Sequence, residues 1–263
     1  MEQFVLRTRV FFSYAKYSYF ALFRLLTPGA YLALKIIVPL TQVLFFSLMG
    51  SWAGGNPTYY VIGNSAQLAV TSGISGMIQV SIMERRMGTL PQLIMAPASN
   101  VITFYGRGLF LIFDGLTSVA AGFFIGGALF GLTFAGINWP MLALAFLVVS
   151  FAVSSLGLAL GVMGLVGTDL NYLLNFTLAL LLVVCGVNFP IASLPEPIQW
   201  ITSFLPLTHG LVAVRAIIAG DMQHVWGNLG WEFVIGCIYM LIGYYLFIFI
   251  ERLARTRSTL ELQ

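Results

Sequence analysis

Charge is what this sequence has least of: only 8% of its 263 residues are Asp, Glu, Lys or Arg, against roughly 25% in an ordinary soluble domain. So few charges leave no composition for a soluble domain, and nucleic acid is not an expected partner. Lysine is scarcer still. The phosphate-cradling loop Gly-x-x-x-x-Gly-Lys-Ser/Thr needs a lysine before a hydroxyl residue, but Lys16 is followed by Tyr17 and Lys35 by Ile36, and there is no third. The chain cannot hold ATP by that route, so any ATP-driven step requires another polypeptide. The two cysteines, Cys185 and Cys237, both sit in apolar runs, which suggests neither a disulfide framework nor a metal site. Near the start, Arg24 interrupts the apolar run from Tyr19 to Phe23, so signal-peptide cleavage is not expected. No pair of broken helices repeats in inverted order.

What is present is apolar. Hydrophobic residues make up 59% of the chain and aromatics 14%, with a mean hydropathy of +0.95. They come in continuous runs of about twenty residues rather than in short alternating segments, which argues for membrane helices and against a β-barrel. The expected fold class is an all-α polytopic membrane protein, a single transmembrane domain over residues 1–263. The basic residues gather in three places: Arg7, Arg9, Lys16, Arg24 and Lys35 before or at the mouth of the first span; Arg85, Arg86 and Arg107 about the first internal loop; Arg252, Arg255 and Arg257 in the tail. If all three groups are cytoplasmic, the number of spans is even and both termini are inside the cell membrane.

Six spans satisfy that parity, at about Tyr31 to Met49, Tyr59 to Ile82, Ile102 to Phe130, Met141 to Val166, Tyr172 to Phe189 and Leu229 to Ile250. Residues 1–28 place Phe4, Phe11, Ala15, Tyr19, Leu22 and Leu26 on one helical face and Arg9, Ser13, Lys16 and Arg24 opposite, the pattern of a helix lying in the inner interface. The second span carries Gly63, Asn64, Ser65, Gln67, Thr71, Ser72, Gly73, Ser75, Gly76 and Gln79. It is therefore expected either to be wrapped by other helices or to line a polar path. The fourth span presents Ser150, Ser154, Ser155, Gly157, Gly161 and Gly164, a small-residue face for tight crossing.

Two stretches break the pattern. Residues 84–97 form a charged island in which Thr89 and Gln92 have capping-box spacing and Pro91 falls in a first helical turn, predicting a short helix from Leu90 to Met95. It can be read as a plain connector or as an element gripped by a partner. Residues 190–220 hold Pro190, Pro195, Pro197 and Pro206. Ser193 and Glu196 have capping-box spacing, predicting a helix from Leu194 to Phe204, and a second short helix runs from His209 to Ala219, stopped by Gly220-Asp221. Each is too short to span, so the pair is expected to form an outer re-entrant hairpin covering protein or a cavity.

Together these stretches resemble the ATP-binding-cassette type 2 permease family, the membrane subunits of drug, polysaccharide and lipo-oligosaccharide exporters. The family's loop, roughly Glu-Arg-Glu-x-Gly-Thr-Leu-Glu-x-Leu and then Pro, is met by Glu84-Arg85-Arg86-Met87-Gly88-Thr89-Leu90-Pro91-Gln92-Leu93 and Pro97, with Arg86 and Pro91 where the family usually has acids. Its late signature is met by Pro206-Leu207-Thr208-His209 and Arg215. The resemblance implies that Glu84, Arg85, Arg86, Gly88 and Thr89 dock into a nucleotide-binding subunit, present in two copies and carrying ATP and Mg. It also implies a second permease, identical or related, with the path between the two formed mainly by the first, second and fifth spans. Membrane lipids complete the expected partners, and no cofactor is expected in this chain. Gln42, Phe45, Phe46, Asn64, Gln67, Asn175 and Phe176 are the path candidates, chosen because polar or aromatic residues on those spans suit an amphipathic cargo.

Two other classes compete. An ion-coupled transporter would use Asp114, a mid-span acid whose burial costs about 2.5–3.5 kcal/mol and usually has a purpose. Its ordinary role is pairing inside the bundle, and Glu232 is read as lying near a span end. An intramembrane enzyme would draw on Ser154 or Ser155, His209 and Asp114, but no nucleophile motif or metal-ligand spacing accompanies them.

Overall fold

The computed structural model describes Gly29 and residues 33–86, 100–164 and 170–257. Among the described residues there are eight α-helices and no strand: α1 (Val38–Trp52), α2 (Pro57–Arg86), α3 (Asn100–Leu129), α4 (Trp139–Met163), α5 (Leu170–Val184), α6 (Glu196–Thr202), α7 (Thr208–Ala219) and α8 (Val225–Arg257). Three stretches are long and apolar enough to cross a bilayer, Phe110–Leu129 in α3, Trp139–Met163 and Val225–Arg252 in α8. The expected interfacial helix at 1–28 and the short helix from Leu90 to Met95 lie outside the described residues.

Local chemistry sets most boundaries. A π-helical turn, Ala33–Ile37, leads into α1, and the change of winding falls beside Pro39, which has no N–H to donate to the preceding turn. Helix α4 starts where Asn138 Oδ1 accepts the Met141 N–H at 3.3 Å, with Pro140 in the first turn. Helix α7 stops at Gly220, whose φ of 80° is left-handed and whose N–H reaches the carbonyls of Ala216 and Ile217, as the Gly220-Asp221 pair predicts.

Helix α4 is the centre of the bundle: 78% of its apolar stretch is buried, against 22% for α8. The small-residue face expected of the fourth span is where it meets α2, for a Cβ on Gly157 would stand 2.8 Å from the Gly73 carbonyl and one on Gly73 2.8 Å from Ser154 Oγ. Gly161 approaches Met77 and Gly164 approaches Ser81 in the same register, so α2 and α4 run parallel. Helix α8 runs parallel to α4 on its other side, with Phe151 stacked on Phe233 at 5.4 Å and Gly236 against Ala152. Helix α3 is antiparallel to α2, with Gly76 against Leu111 and Gly122 against Leu68. Residues 61–70 of α2 are all buried, so the polar second span is wrapped by its neighbours.

Two expectations are corrected. The fifth helix ends at Val184 rather than Phe189, because Gly186 takes a φ of 81° that no helix accommodates. The capping box at Ser193 and Glu196 does not form. Ser193 closes a 3-10 turn, Ile191–Ser193, and its hydroxyl donates to the Pro190 carbonyl at 2.7 Å. Leu194, held extended by the proline after it, and Pro195 itself then keep the helix from starting before Glu196.

Candidate functional site

The residues of the late signature converge at one end of the bundle, where α1, α3 and α5 finish and α2, α4 and α8 begin. Arg215 projects from α7 into the junction. Its guanidinium donates to the carbonyls of Gly186 at 2.9 Å, Val187 at 3.1 Å and Tyr59 at 3.4 Å, and lies 3.5 Å from the centre of the Tyr59 ring. The Tyr59 hydroxyl donates to the same Gly186 carbonyl at 3.1 Å. A planar fork with five donors suits this cluster of carbonyls, of which those of Gly186 and Val187 lie past the break after Val184 and outside helical bonding. Gly63 lets the backbones meet there: a Cβ on it would collide with the Val187 carbonyl and stand 3.0 Å from the guanidinium.

The other signature residues bind the hairpin to itself. His209 Nε2 lies 3.0 Å from the Ser203 carbonyl and its Nδ1 3.3 Å from Asn228 Oδ1, joining α6, α7 and α8. Pro206 is buried, and its carbonyl accepts from Cys185 Sγ at 3.7 Å. Beside them stands a residue, near the start of α8, to which the sequence reading gave no role. Glu232 is fully buried inside α8, and its carboxylate accepts the N–H groups of Leu207 and, at 2.8 Å, Gly210. A lone acid in an apolar run was the available signal. Tyr59 and Asn188 had none, because their roles depend on which chain end folds against them.

The path candidates fall into two groups. Asn64 and Gln67 are buried in α2: the Asn64 amide donates to Asn188 Oδ1 at 2.9 Å and to the Tyr60 carbonyl at 3.0 Å, and the Gln67 amide donates to the Leu178 carbonyl on α5 at 3.3 Å. Both thus tie α2 to α5 and its extension. Phe45, Asn175 and Phe176 are exposed on α1 and α5, with Gln42 and Phe46 half-buried and the Phe45 and Phe46 rings edge to face at 5.2 Å. At the opposite end, Glu84, Arg85 and Arg86 are the last residues of α2, while Gly88 and Thr89 lie outside the described residues.

The candidates of the rival classes do not assemble into a serine–histidine site. Asp114 is buried in α3, next to Gly115, which faces Ala69 of α2 and Ser150 of α4. Ser155 donates to its own helix at the Phe151 carbonyl, 2.8 Å away, and Ser154 packs on Gly73. With both His209 nitrogens engaged in the hairpin, no serine–histidine pair forms. Among the described residues no group of three His, Cys, Asp or Glu could hold a metal ion.

Residues 53–245, from the end of α1 into α8, match the family described as ABC-2 family transporter protein. The chain belongs to that family. The match takes in α2, the hairpin and the Arg215 junction, so the ABC-2 assignment covers the whole site and most of the bundle. The chain is accordingly a membrane transport subunit of the ABC class, and the family implies association with an ATP-binding subunit. No curated protein shows significant similarity to this ABC-2 chain.

Proposed function

We propose that the chain is the membrane-spanning permease of an ATP-driven exporter, moving an amphipathic or hydrophobic compound out of the cytoplasm or the inner leaflet. The family match over residues 53–245 carries this reading. In it the chain crosses the cell membrane six times with both termini cytoplasmic, and the end bearing the hairpin faces outward. All five tryptophans, Trp52, Trp139, Trp200, Trp226 and Trp231, are exposed at that end, as residues at a headgroup boundary would be. Two copies of an ATP-binding subunit hold ATP and Mg and push through the loop that begins at Glu84, Arg85 and Arg86 and continues through Gly88 and Thr89.

A second permease, identical or related, completes the path. Exposed Asn175 on α5, beside exposed Phe176, supports this, because an amide facing hydrocarbon is unfavourable and suits a protein or path-facing surface better. Phe45 and Phe46 of α1, with Gln42, extend the same surface, and Asn64 and Gln67 lie behind it. Co-purification tests the reading: an ATP-binding subunit is expected to accompany the wild-type chain and to be lost from Glu84→Ala and Gly88→Leu variants. Solute movement by the purified chain alone, driven by a proton gradient and abolished by Asp114→Asn, would overturn it.

A further inference from the structure

We propose that Glu232 is a positioning residue for the outer hairpin: from α8 it pins the start of α7, making that helix a fixed post and leaving the strap of residues 189–205 as the part that moves. The pin stands on the structure alone, whereas the moving strap rests on the export reading.

The start of α7 is chemically incomplete without Glu232. A helix ordinarily meets its first N–H groups with the side chain of its own N-cap residue, but here that residue is Leu207, which has no polar atom and forms no side-chain cap. Leu207 also has φ 84° and ψ −31°, the only positive φ among the described non-glycine residues, a conformation a leucine keeps only when its surroundings hold it. Glu232 supplies the hold from another helix, one carboxylate oxygen taking the Leu207 N–H and the other the Gly210 N–H. The negative charge also lies at the favourable end of the α7 dipole. Gly210 admits it, since a Cβ there would stand 3.2 Å from the Glu232 carboxyl carbon and collide with Val149.

The pin is anchored in the stiffest part of the bundle. Glu232 precedes Phe233, which stacks on Phe151 of α4, and α4 is locked to α2 through Gly157 and Gly73. Later in α7, Arg215 fastens the helix to Tyr59 and to Gly186 and Val187. Between the two fastenings Leu211, Ala213 and Val214 are buried, as is Ile217 just beyond Arg215. The strap differs. In α6 only Thr202 is buried, while Phe189, Trp200, Ile201 and Phe204 are exposed. Its ties to the post and to α8 are the His209 contact with the Ser203 carbonyl and the bond from the Tyr239 hydroxyl to the Phe204 carbonyl at 3.4 Å. Segments with few buried groups and few tertiary bonds open first.

The pin depends on charge rather than shape. Glu232→Gln keeps the volume but offers one oxygen to two N–H donors and turns an NH2 toward one of them. Hydrogen–deuterium exchange on the full chain in lipid nanodiscs is expected to show the Leu207 and Gly210 amides exchanging at least about tenfold faster in Glu232→Gln, the ratio that follows from losing one charge-assisted bond, with α2 and α4 unchanged. Adding Leu207→Gly, which accepts positive φ freely, should restore part of that protection. Wild-type exchange in Glu232→Gln, or equal acceleration throughout α2 and α4, would overturn the pin. Motion is read with an impermeant maleimide on vesicles holding the chain and its ATPase, against the same chain without the added cysteine. Labelling of Trp200→Cys should respond to ATP and that of exposed Val212→Cys on α7 should not, except when Glu232→Gln is also present. Equal ATP responses at both sites in the otherwise wild-type chain would overturn the fixed post. No response at either, with the exchange pattern as expected, would count against export and leave the pin standing.

Discussion

Replacing Arg215 by methionine removes the group that joins α2, α7 and the break after α5, and its cost can be worked from the contacts. The Gly186 carbonyl would keep the Tyr59 hydroxyl as a donor, so the Val187 carbonyl is the acceptor left bare. A buried polar group stripped of its partner costs about 1–3 kcal/mol. Loss of the cation from the face of Tyr59 adds about 0.5–2 kcal/mol. Against these stands the relief of no longer holding a cation away from water, so the net loss should be about 2–4 kcal/mol. For a chain of this size that corresponds to a melting midpoint roughly 5–15 °C lower.

The assay is built into the protein. Cys185 is fully buried beside Gly186 and Val187, so in a Cys237→Ala background, which removes the half-buried second thiol, a thiol-reactive fluorogenic dye in detergent reports when the junction opens. Arg215→Met should expose Cys185 at the lower temperature. Arg215→Lys should fall between, since one ammonium cannot reproduce a planar fork on several carbonyls and stack on a ring. Tyr59→Phe, which keeps the ring and loses the hydroxyl bond, should cost only about 1 kcal/mol. If Arg215→Met melted within about 2 °C of wild type, a change worth under roughly 1 kcal/mol, with Cys185 still protected, the guanidinium would not be what closes the junction.

Three further outcomes are expected. Gly157→Val should force α4 away from the Gly73 carbonyl and destabilise the bundle by about 1–3 kcal/mol, seen as a lower melting midpoint, whereas the same change at Gly230, which has open space around it, should not. Asn64→Leu should strip Asn188 of its partner and cost about 1–3 kcal/mol, and pairing it with Asn188→Leu should cost less than the sum of the two single changes. The five tryptophans, all exposed at one end of the bundle, should be quenched strongly by lipids brominated near the headgroup and weakly by lipids brominated near the chain terminus. Equal quenching by both would contradict a single interfacial band.

Where the sequence was a good guide, the signal was local and repeated. The polar and small residues of α2 pointed to a helix either enclosed by others or lining a polar path, and residues 61–70 are buried throughout. The small-residue face of α4 pointed to a tight crossing, and Gly157 supplies it against Gly73. The stop at Gly220 depended on one residue's backbone freedom and fell where expected. The misses share a physical form. Ser193 and Glu196 had the right spacing for a box, but two prolines changed the backbone between the pattern and its use. Glu232 was read as an acid near a span end and given no role, because its partners, Gly210 and Leu207, are 22 and 25 residues away in sequence. Arg215 was found through its place in a family signature, yet its partners, Tyr59, Gly186 and Val187, come from α2 and from a helix end that periodicity extended too far.

These contacts also divide the molecule mechanically. Helices α2, α3, α4 and α8 meet through glycines whose added Cβ atoms would strike a neighbour, as at Gly73, Gly76, Gly157 and Gly236, and such seams leave no room for sliding. Helix α5 meets α2 differently, through the Gln67 contact with the Leu178 carbonyl and, just beyond its end, the Asn64 contact with Asn188. Single hydrogen bonds between neutral groups contribute only about 0.5–1.5 kcal/mol each, so most of the hold on α5 comes from Leu170, Leu174 and Leu181, which it buries in the core. On the export reading, a push arriving at Glu84 would be delivered to a stiff block, because that residue is on α2 itself. The chain leaves α5 at the break of Gly186, whose carbonyl is held by both Arg215 and Tyr59.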